Sequence, residues 1–126
     1  MSEKTLNLGK HVFLDLYDCD SALLNDITAL EKIMLEAAHV ANATVIKAHF
    51  HQFSPQGISG SVIIAESHFN IHSWPEHGYA AVDLFTCGTS LQDEKAVDYL
   101  VQKLNSARHE TKTVKRGVIS VSDIPT

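Results

Sequence analysis

The residues with the greatest capacity for chemistry lie in one stretch of the chain, between Ile58 and Gly88. At its centre, Ser67 follows Glu66 at the end of an apolar run, 61–65, that is typical of a buried strand. A serine in this position can hold its hydroxyl group rigidly against the carbonyl group of the preceding residue. That arrangement permits Ser67 Oγ to attack the Glu66 carbonyl carbon, which exchanges the peptide bond for an ester.

Three segments of the sequence resemble a single known family. They are LDLYDCD (14–20), FHQFSPQGISG (50–60) and AESHFNIHSWPEHGYAAVDLFTCG (65–88). Together they resemble the short prokaryotic S-adenosylmethionine decarboxylases, a pyruvoyl-dependent family that is made as a self-cleaving proenzyme. The segments are spread over most of the chain, and the last one is long and chemically unusual, so the resemblance is specific.

The resemblance implies that the chain matures by cutting itself between Glu66 and Ser67. In such proenzymes the serine hydroxyl displaces its own amide nitrogen, and β-elimination from the resulting ester releases the upstream chain. The dehydroalanine that remains is converted to a pyruvoyl group with loss of ammonia. The implied products are a β chain, 1–66, and an α chain, 67–126, that starts with a covalent pyruvoyl cofactor derived from Ser67.

The family's reaction depends on this pyruvoyl group. Its ketone forms a Schiff base with the amine of S-adenosylmethionine, and the adjacent carbonyl helps to accept the electrons that departing carbon dioxide leaves behind. The product is the aminopropyl donor for spermidine biosynthesis. The resemblance therefore implies S-adenosylmethionine as the substrate and a homodimer of αβ pairs as the assembly.

Three further residues match the family's catalytic positions. His72 matches the processing base, Ser59 the residue that assists the intermediate before the ester, and Cys87 the proton donor after decarboxylation. An imidazole suits a base because it titrates near neutrality, and a thiol is an available proton donor at neutral pH. Without the resemblance, these residues would be interpreted as a strand histidine, a turn hydroxyl and a small buried hydrophobe.

Contacts to the substrate are also implied by matched positions. Glu76 matches the acidic residue that holds the ribose hydroxyls, and Phe53 matches an aromatic residue that stacks on adenine. Trp74 is assigned to the lining of the same pocket or to a structural role. On residue type alone, Glu76 and Phe53 would be a solvated turn acid and a core aromatic residue.

The eight histidines raise the question of a metal site. His49 and His51 share one face of a predicted strand, and His68 and His72 could approach them. No spacing in the sequence resembles a familiar zinc pattern, so we predict no metal. A Cys-His hydrolase is favoured even less, because nothing marks an oxyanion hole.

Length and composition restrict the class of protein. The 126 residues predict a single domain, 1–126, and a net charge of -5 without a Lys/Arg run argues against nucleic-acid binding. No apolar segment approaches the roughly 18 residues that span a bilayer, and the first residues lack the apolar region of a signal peptide. We therefore expect a cytoplasmic protein without membrane association. Cys19 and Cys87 are expected to be free thiols, and Cys19 is assigned no role.

The hydrophobic periodicity predicts an α+β fold with the order β-α-β-β-β-α-β. The predicted strands are 11–17, 44–53, 58–66, 79–87 and 111–121. The predicted helices are 22–41, which follows a turn and N-cap over 18–21, and 91–107, which is capped by Ser90. This order predicts a two-layer sandwich, in which an antiparallel sheet carries two helices on one face. The other face is too apolar for full solvation, so we expect it to pair with a second copy; its residues are His11, Phe13, Tyr17, Phe53, Phe85 and Cys87.

Two other functions remain open at this stage. A pyruvoyl-dependent arginine or ornithine decarboxylase on the same fold would keep Ser67, His72 and Cys87 and change the substrate pocket. A non-cleaving paralogue would act as a regulatory dimer partner and would have no need of those three residues. Phe53 and Glu76 favour the adenosyl substrate, and the intact catalytic set favours an enzyme.

Overall fold

The computed structural model describes residues 5–65, 67–87 and 91–120. Within these ranges the elements follow one another along the chain as strands, helices and one 3₁₀ turn. They are β1 (Thr5–Tyr17), α1 (Ser21–Leu24), α2 (Ile27–Val40), β2 (Val45–Gln52), β3 (Ile58–Ile64), β4 (Ser67–Trp74), the 3₁₀ turn (Pro75–His77), β5 (Tyr79–Thr86), α3 (Asp93–Lys103) and β6 (Arg108–Ser120). No helix among the described residues is long and apolar enough to cross a membrane.

The strands form one six-stranded sheet in the order β2-β3-β4-β5-β1-β6, with every neighbouring pair antiparallel. Alternate residues of the central strands are buried, as Leu14, Phe69 and Leu84 are, and they join one core with Leu30 and Leu100 of the helices. The helices therefore cover one face of the sheet. The predicted α+β class, with an antiparallel sheet and helices on one face, is confirmed.

The single helix predicted over 22–41 is two helices in the structure. The side chain of Asp20 accepts hydrogen bonds from the first turn of α1, and the side chain of Asp26 accepts one from Ala29 in α2. Each carboxylate satisfies backbone N–H groups that a helix start leaves without partners, so each begins a separate helix. The apolar stripe continues across the break, which is why periodicity alone predicted a single helix.

The predicted helix over 91–107 is shorter at both ends. It begins at Asp93 and ends at Lys103, and the predicted cap, Ser90, lies outside the described residues. Asn105 adopts a left-handed backbone with a φ of 53°. This conformation ends the helix and directs the chain into β6, so that Ala107 is exposed instead of extending the apolar stripe.

The largest difference from the predicted order is the additional strand β4. The segment from Ser67 to Trp74 pairs with β3 on one side and with β5 on the other. Its residues alternate, with Phe69 and Ile71 buried against the helices and His68 and His72 on the opposite side. Ser67 and His72 therefore both lie on a central strand.

The sheet surface opposite the helices, called the open face below, carries the other set of alternating side chains. Phe13 and Trp74 are exposed there by 40% and 41%. Aromatic groups share this face with polar ones; the open-face residues of β1, β4 and β5 are His11, Phe13, Asp15, Tyr17, His68, Asn70, His72, Trp74, Tyr79, Ala81, Asp83 and Phe85. Pairing of this face with a second copy stays a prediction.

Candidate functional site

Ser67 and Cys87 lie together at one end of the two central strands. Ser67 is the first residue of β4 and is 8% exposed. Its Oγ accepts a hydrogen bond from the backbone N–H of Cys87 at 3.1 Å. His68, which follows Ser67, pairs with Phe85, and this register brings Ser67 close to Cys87. The structure thus groups the predicted pyruvoyl precursor with the predicted proton donor, while Glu66, on the other side of the predicted cleavage bond, lies outside the described residues.

Ser59 and His72 form a second group. They are directly opposite each other in the pairing of β3 with β4. Residues in this relation have Cβ atoms about 5 Å apart and project from the same face of the sheet. The two residues that the resemblance assigned to processing are therefore neighbours, Ser59 half-buried and His72 exposed on the open face.

The predicted substrate contacts line a cleft next to this second group. The cleft has a volume of about 210 Å³ and is lined by Phe53, Gln56, Gly57, Ile58, His72, Ser73, Trp74 and Glu76. Sites for small molecules usually enclose about 300–1,000 Å³. The cleft of one chain thus has an aromatic and acidic wall with a histidine beside it. Its volume is smaller than a nucleoside-sized ligand needs.

The two groups lie at opposite ends of β4. Ser67 and His72 are five residues apart in this strand. A strand rises about 3.3 Å per residue, so they are separated by about 16 Å, and an odd separation places their side chains on opposite faces. Within one chain, His72 is not in position to remove a proton from Ser67.

Ser73 holds the wall of the cleft and was not identified from the sequence. Its buried hydroxyl donates to the carbonyl oxygen of Leu24 at 2.7 Å and accepts from the N–H of Ile58 at 3.0 Å. It thereby joins β4 to α1 and fixes the start of β3, the strand that carries Ser59. The alternation of Phe69 and Ile71 predicts a buried position for Ser73, but only the tertiary structure gives its partners.

We expect Ser73→Ala to lower the free energy of unfolding by about 1–3 kcal/mol, because it leaves a buried carbonyl and a buried N–H group without a partner. Urea unfolding should be measured in a Ser67→Ala background, in which every chain has the same uncleaved length. Ser61→Ala, a substitution on the open face of β3, is the matched control. An equal, small effect of both substitutions would contradict the anchoring role of Ser73.

An aromatic surface extends the cleft along the open face. Tyr79 packs 5.3 Å from both Tyr17 and Trp74, measured between ring centroids, and the Arg108 guanidinium lies 3.9 Å above the Tyr17 ring. The Tyr79 hydroxyl donates to Asp15 at 2.6 Å. Burial, together with this hydrogen bond to a carboxylate, raises the pKa of Tyr79 to about 12. Tyr79 therefore remains a neutral donor, a role that no pattern in the sequence indicated.

The cysteines and the remaining histidines lie in different parts of the structure. Both cysteines are free thiols, and burial in the core raises the pKa of the Cys19 thiol. His49 and His51 are exposed on the edge strand β2. Among the described residues, the histidines and acids that approach one another closely enough to hold a metal ion are His11, His68 and Asp83.

Comparisons with known proteins decide the family. The family model described as S-adenosylmethionine decarboxylase matches residues 10–117. The S-adenosylmethionine decarboxylase proenzyme of Acidithiobacillus ferrooxidans is 46% identical over 119 residues, which cover 94% of this chain and 90% of that protein. The chain belongs to the S-adenosylmethionine decarboxylase family. The proenzyme of Acetivibrio thermocellus is 53% identical over 112 residues, with 88% and 90% covered.

Solved structures agree with this assignment. The crystal structure of the adenosylmethionine decarboxylase from Aquifex aeolicus superposes with a TM-score of 0.85, at 36% identity, over 94% of this chain and 98% of that one. The Trypanosoma brucei AdoMetDC-delta26 monomer shares the fold, with a TM-score of 0.61 at 18% identity, over 81% of this chain and 44% of that one. Family membership confirms the resemblance on which the sequence analysis relied.

Proposed function

We propose that this chain cleaves itself between Glu66 and Ser67 and then decarboxylates S-adenosylmethionine with a pyruvoyl group made from Ser67. The observation that carries the proposal is the hydrogen bond from the Cys87 N–H to Ser67 Oγ, in a chain of this family. It holds the serine hydroxyl at the end of β4 and places the Cys87 residue beside the carbon that would become the reactive ketone.

Processing requires only the chain and water. Ser67 Oγ adds to the Glu66 carbonyl, and the amide nitrogen leaves to become a free amine, which gives an ester. A base removes the α-proton of Ser67, and the Glu66 carboxylate departs from the β-carbon. The dehydroalanine takes up a proton as an imine, and hydrolysis gives the ketone and ammonia. The near-complete burial of Ser67 supports this sequence, because water has little access to hydrolyse the ester before β-elimination.

The residues around Ser67 fit a pyruvoyl group. The Cys87 N–H donates to Oγ in the uncleaved chain, and because Oγ departs with Glu66, this N–H becomes available to a carbonyl oxygen of the pyruvoyl group. When present, the group supplies an electron-accepting carbonyl that stabilises negative charge on the substrate. Cys87 follows β5, and we assign its thiol to passing a proton to the substrate carbon after carbon dioxide has left. We place this chemistry in the cytoplasm, where the two free thiols would remain reduced.

The functional unit that we propose is a homodimer in which each site draws on both chains. Ser67 and Cys87 lie at one end of β4, whereas Ser59, His72 and the cleft of Glu76 lie at the other. About 16 Å separates the two ends within a chain, but two packed sheets lie only about 10 Å apart. The Ser67 side chain lies on the face of the helices, but a second copy can approach the Ser67 backbone, whose α-proton the base removes, from the open face.

A two-fold axis gives the required arrangement. If the axis runs between two facing open faces, across the strands at the level of Asn70, each β4 lies antiparallel to its counterpart. The Ser67 end of one chain then meets the His72 end of the other, and the arrangement produces two equivalent sites. The exposed aromatic residues of the open face, Phe13 and Trp74, support such a contact.

The cleft favours an adenosyl substrate over a plain amino acid. Phe53 and Trp74 are 50% and 41% exposed and offer flat surfaces to a purine, and Glu76 on the 3₁₀ turn offers two acceptors to ribose hydroxyls. The carboxylate also suits a sulfonium cation nearby. Carbon dioxide release from S-adenosylmethionine, arginine and ornithine by the cleaved enzyme tests the choice of substrate. Faster turnover of either amino acid would overturn it.

We expect Glu76→Gln to raise KM for S-adenosylmethionine and to lower kcat/KM about tenfold to a hundredfold, because hydrogen bonds to a charged acceptor contribute about 1.5–3 kcal/mol. The variant should still cleave itself, so the effect is measured on processed enzyme. Glu94→Gln, an exposed acid on α3, is the matched control. An unchanged KM in the Glu76 variant would remove this residue from the substrate site.

A further inference from the structure

His11, His68 and Asp83 bring three potential metal ligands together on the open face. They come from β1, β4 and β5, and their ligand atoms all lie within 4.8 Å of one another. His11 Nε2 is 3.4 Å from Asp83 Oδ2. Two ligands on a tetrahedral zinc ion, with bonds of about 2.0–2.1 Å, are about 3.3 Å apart. The His11–Asp83 separation already has the spacing of a coordinated pair.

Two atoms of this cluster lack hydrogen-bond partners. Among the described residues, His11 Nε2 and Asp83 Oδ1 are fully buried polar atoms without a hydrogen bond. A buried polar group without a partner typically costs about 1–3 kcal/mol, so native structures rarely keep one without a reason. An ion bound between the three side chains would satisfy His11 Nε2, and it would satisfy Asp83 Oδ1 as well when the carboxylate binds through both oxygens.

We propose that His11, His68 and Asp83 form a binding site for a divalent transition-metal ion, with Zn²⁺ as its probe. Two imidazoles and one carboxylate are ligands that zinc and its neighbours in the first row favour. His68 stacks on Phe85 with the ring centroids 5.5 Å apart, and its ligand atom lies within 4.8 Å of the other two. The ion would link three strands and would restrain His68, the residue that follows Ser67.

Arg116 opposes the ion in the present arrangement. Its guanidinium lies 3.1 Å from His11 Nδ1, and since a guanidinium can only donate, Nδ1 is the acceptor. That contact places the ring proton on Nε2, the atom that faces Asp83. Metal binding at Nε2 moves the proton to Nδ1, where Arg116 is an unfavourable neighbour both as a donor and as a charge. Arg116 is exposed on the edge strand β6 and can turn away.

The test is equilibrium dialysis of tag-free, full-length protein against Zn²⁺, with metal content measured by mass spectrometry. One Zn²⁺ per chain is expected. His68→Ala and Asp83→Asn should each weaken binding at least tenfold. Arg116→Gln should tighten it several-fold, because glutamine removes the charge and offers an oxygen to Nδ1–H. Since Arg116 is exposed, this variant should fold even if a substitution within the cluster does not.

Histidine and acid variants outside the cluster serve as controls. His39→Ala on α2, His49→Ala on β2 and Asp98→Asn on α3 should bind Zn²⁺ like the unmodified chain. The proposal is overturned if no Zn²⁺ is retained, if the controls lose as much metal as the cluster variants, or if Arg116→Gln has no effect on affinity. Success would reverse the sequence-based expectation that the chain has no metal site.

Discussion

Ser67→Ala is expected to keep the chain at full length and to abolish carbon dioxide release from S-adenosylmethionine. Alanine has no hydroxyl group to attack the Glu66 carbonyl, so neither the ester nor the ketone can form. Intact-protein mass spectrometry measures the first effect. The unmodified protein should give two fragments divided between Glu66 and Ser67, the downstream one lighter than a serine-started chain by the mass of one ammonia.

Ser61→Ala is the matched control for this experiment. Ser61 lies on β3, across from Asn70, and takes no part in the proposed chemistry. This variant should cleave and turn over substrate like the unmodified protein. If the unmodified protein itself remains whole after long incubation, self-cleavage is wrong, and the non-cleaving regulatory partner becomes the better hypothesis. If the protein cleaves itself but releases carbon dioxide only from arginine or ornithine, the self-cleavage hypothesis holds and the proposed substrate is wrong.

Co-production of Ser67→Ala and His72→Ala chains is expected to restore cleavage that neither variant shows by itself. In a mixed dimer, the His72→Ala chain still has its serine, and the other chain presents an intact histidine to it. Random pairing at equal expression puts about half of the His72→Ala chains into mixed dimers. About half of the His72→Ala chains should therefore be cleaved. Because the two variants differ in mass, spectra of the intact fragments show which chain was cut.

A second mixture separates this outcome from non-specific rescue. In this mixture the double variant Ser67→Ala/His72→Ala takes the place of Ser67→Ala. Neither chain then has an intact histidine, so the His72→Ala chain should remain uncleaved. Native mass spectrometry establishes that mixed dimers have formed. Mixed dimers without cleavage would contradict a site shared between chains, and normal cleavage of His72→Ala alone would show that His72 is not the base.

Local sequence patterns were sufficient for much of the architecture. Local hydrophobic patterns identified β1 and β5 as strands, and a repeat of three and four residues identified the helices, because each pattern depends on contacts close in the chain. The same patterns missed the break before Asp26, where a side-chain cap overrides a continuous stripe. They also missed β4, whose alternation of Phe69 and Ile71 with polar residues is present in the sequence but short and rich in histidine.

The residues of the candidate site were identified from a family motif and not from hydrophobic patterns. No periodicity distinguishes Ser67, His72 or Cys87 from other residues of their type, and only the match to a long family motif identified them. The family assignment is confirmed by the comparisons, while the roles of the individual residues remain predictions.

The grouping of these residues was decided by the tertiary structure alone. The hydrogen bond between Ser67 and Cys87, the facing pair of Ser59 and His72, and the cluster of His11 with Asp83 all depend on strand register. Register is fixed by pairing between distant segments, and a shift of one residue would move every side chain to the other face. The sequence therefore determined which side chains are available for chemistry, and the sheet determined which of them meet.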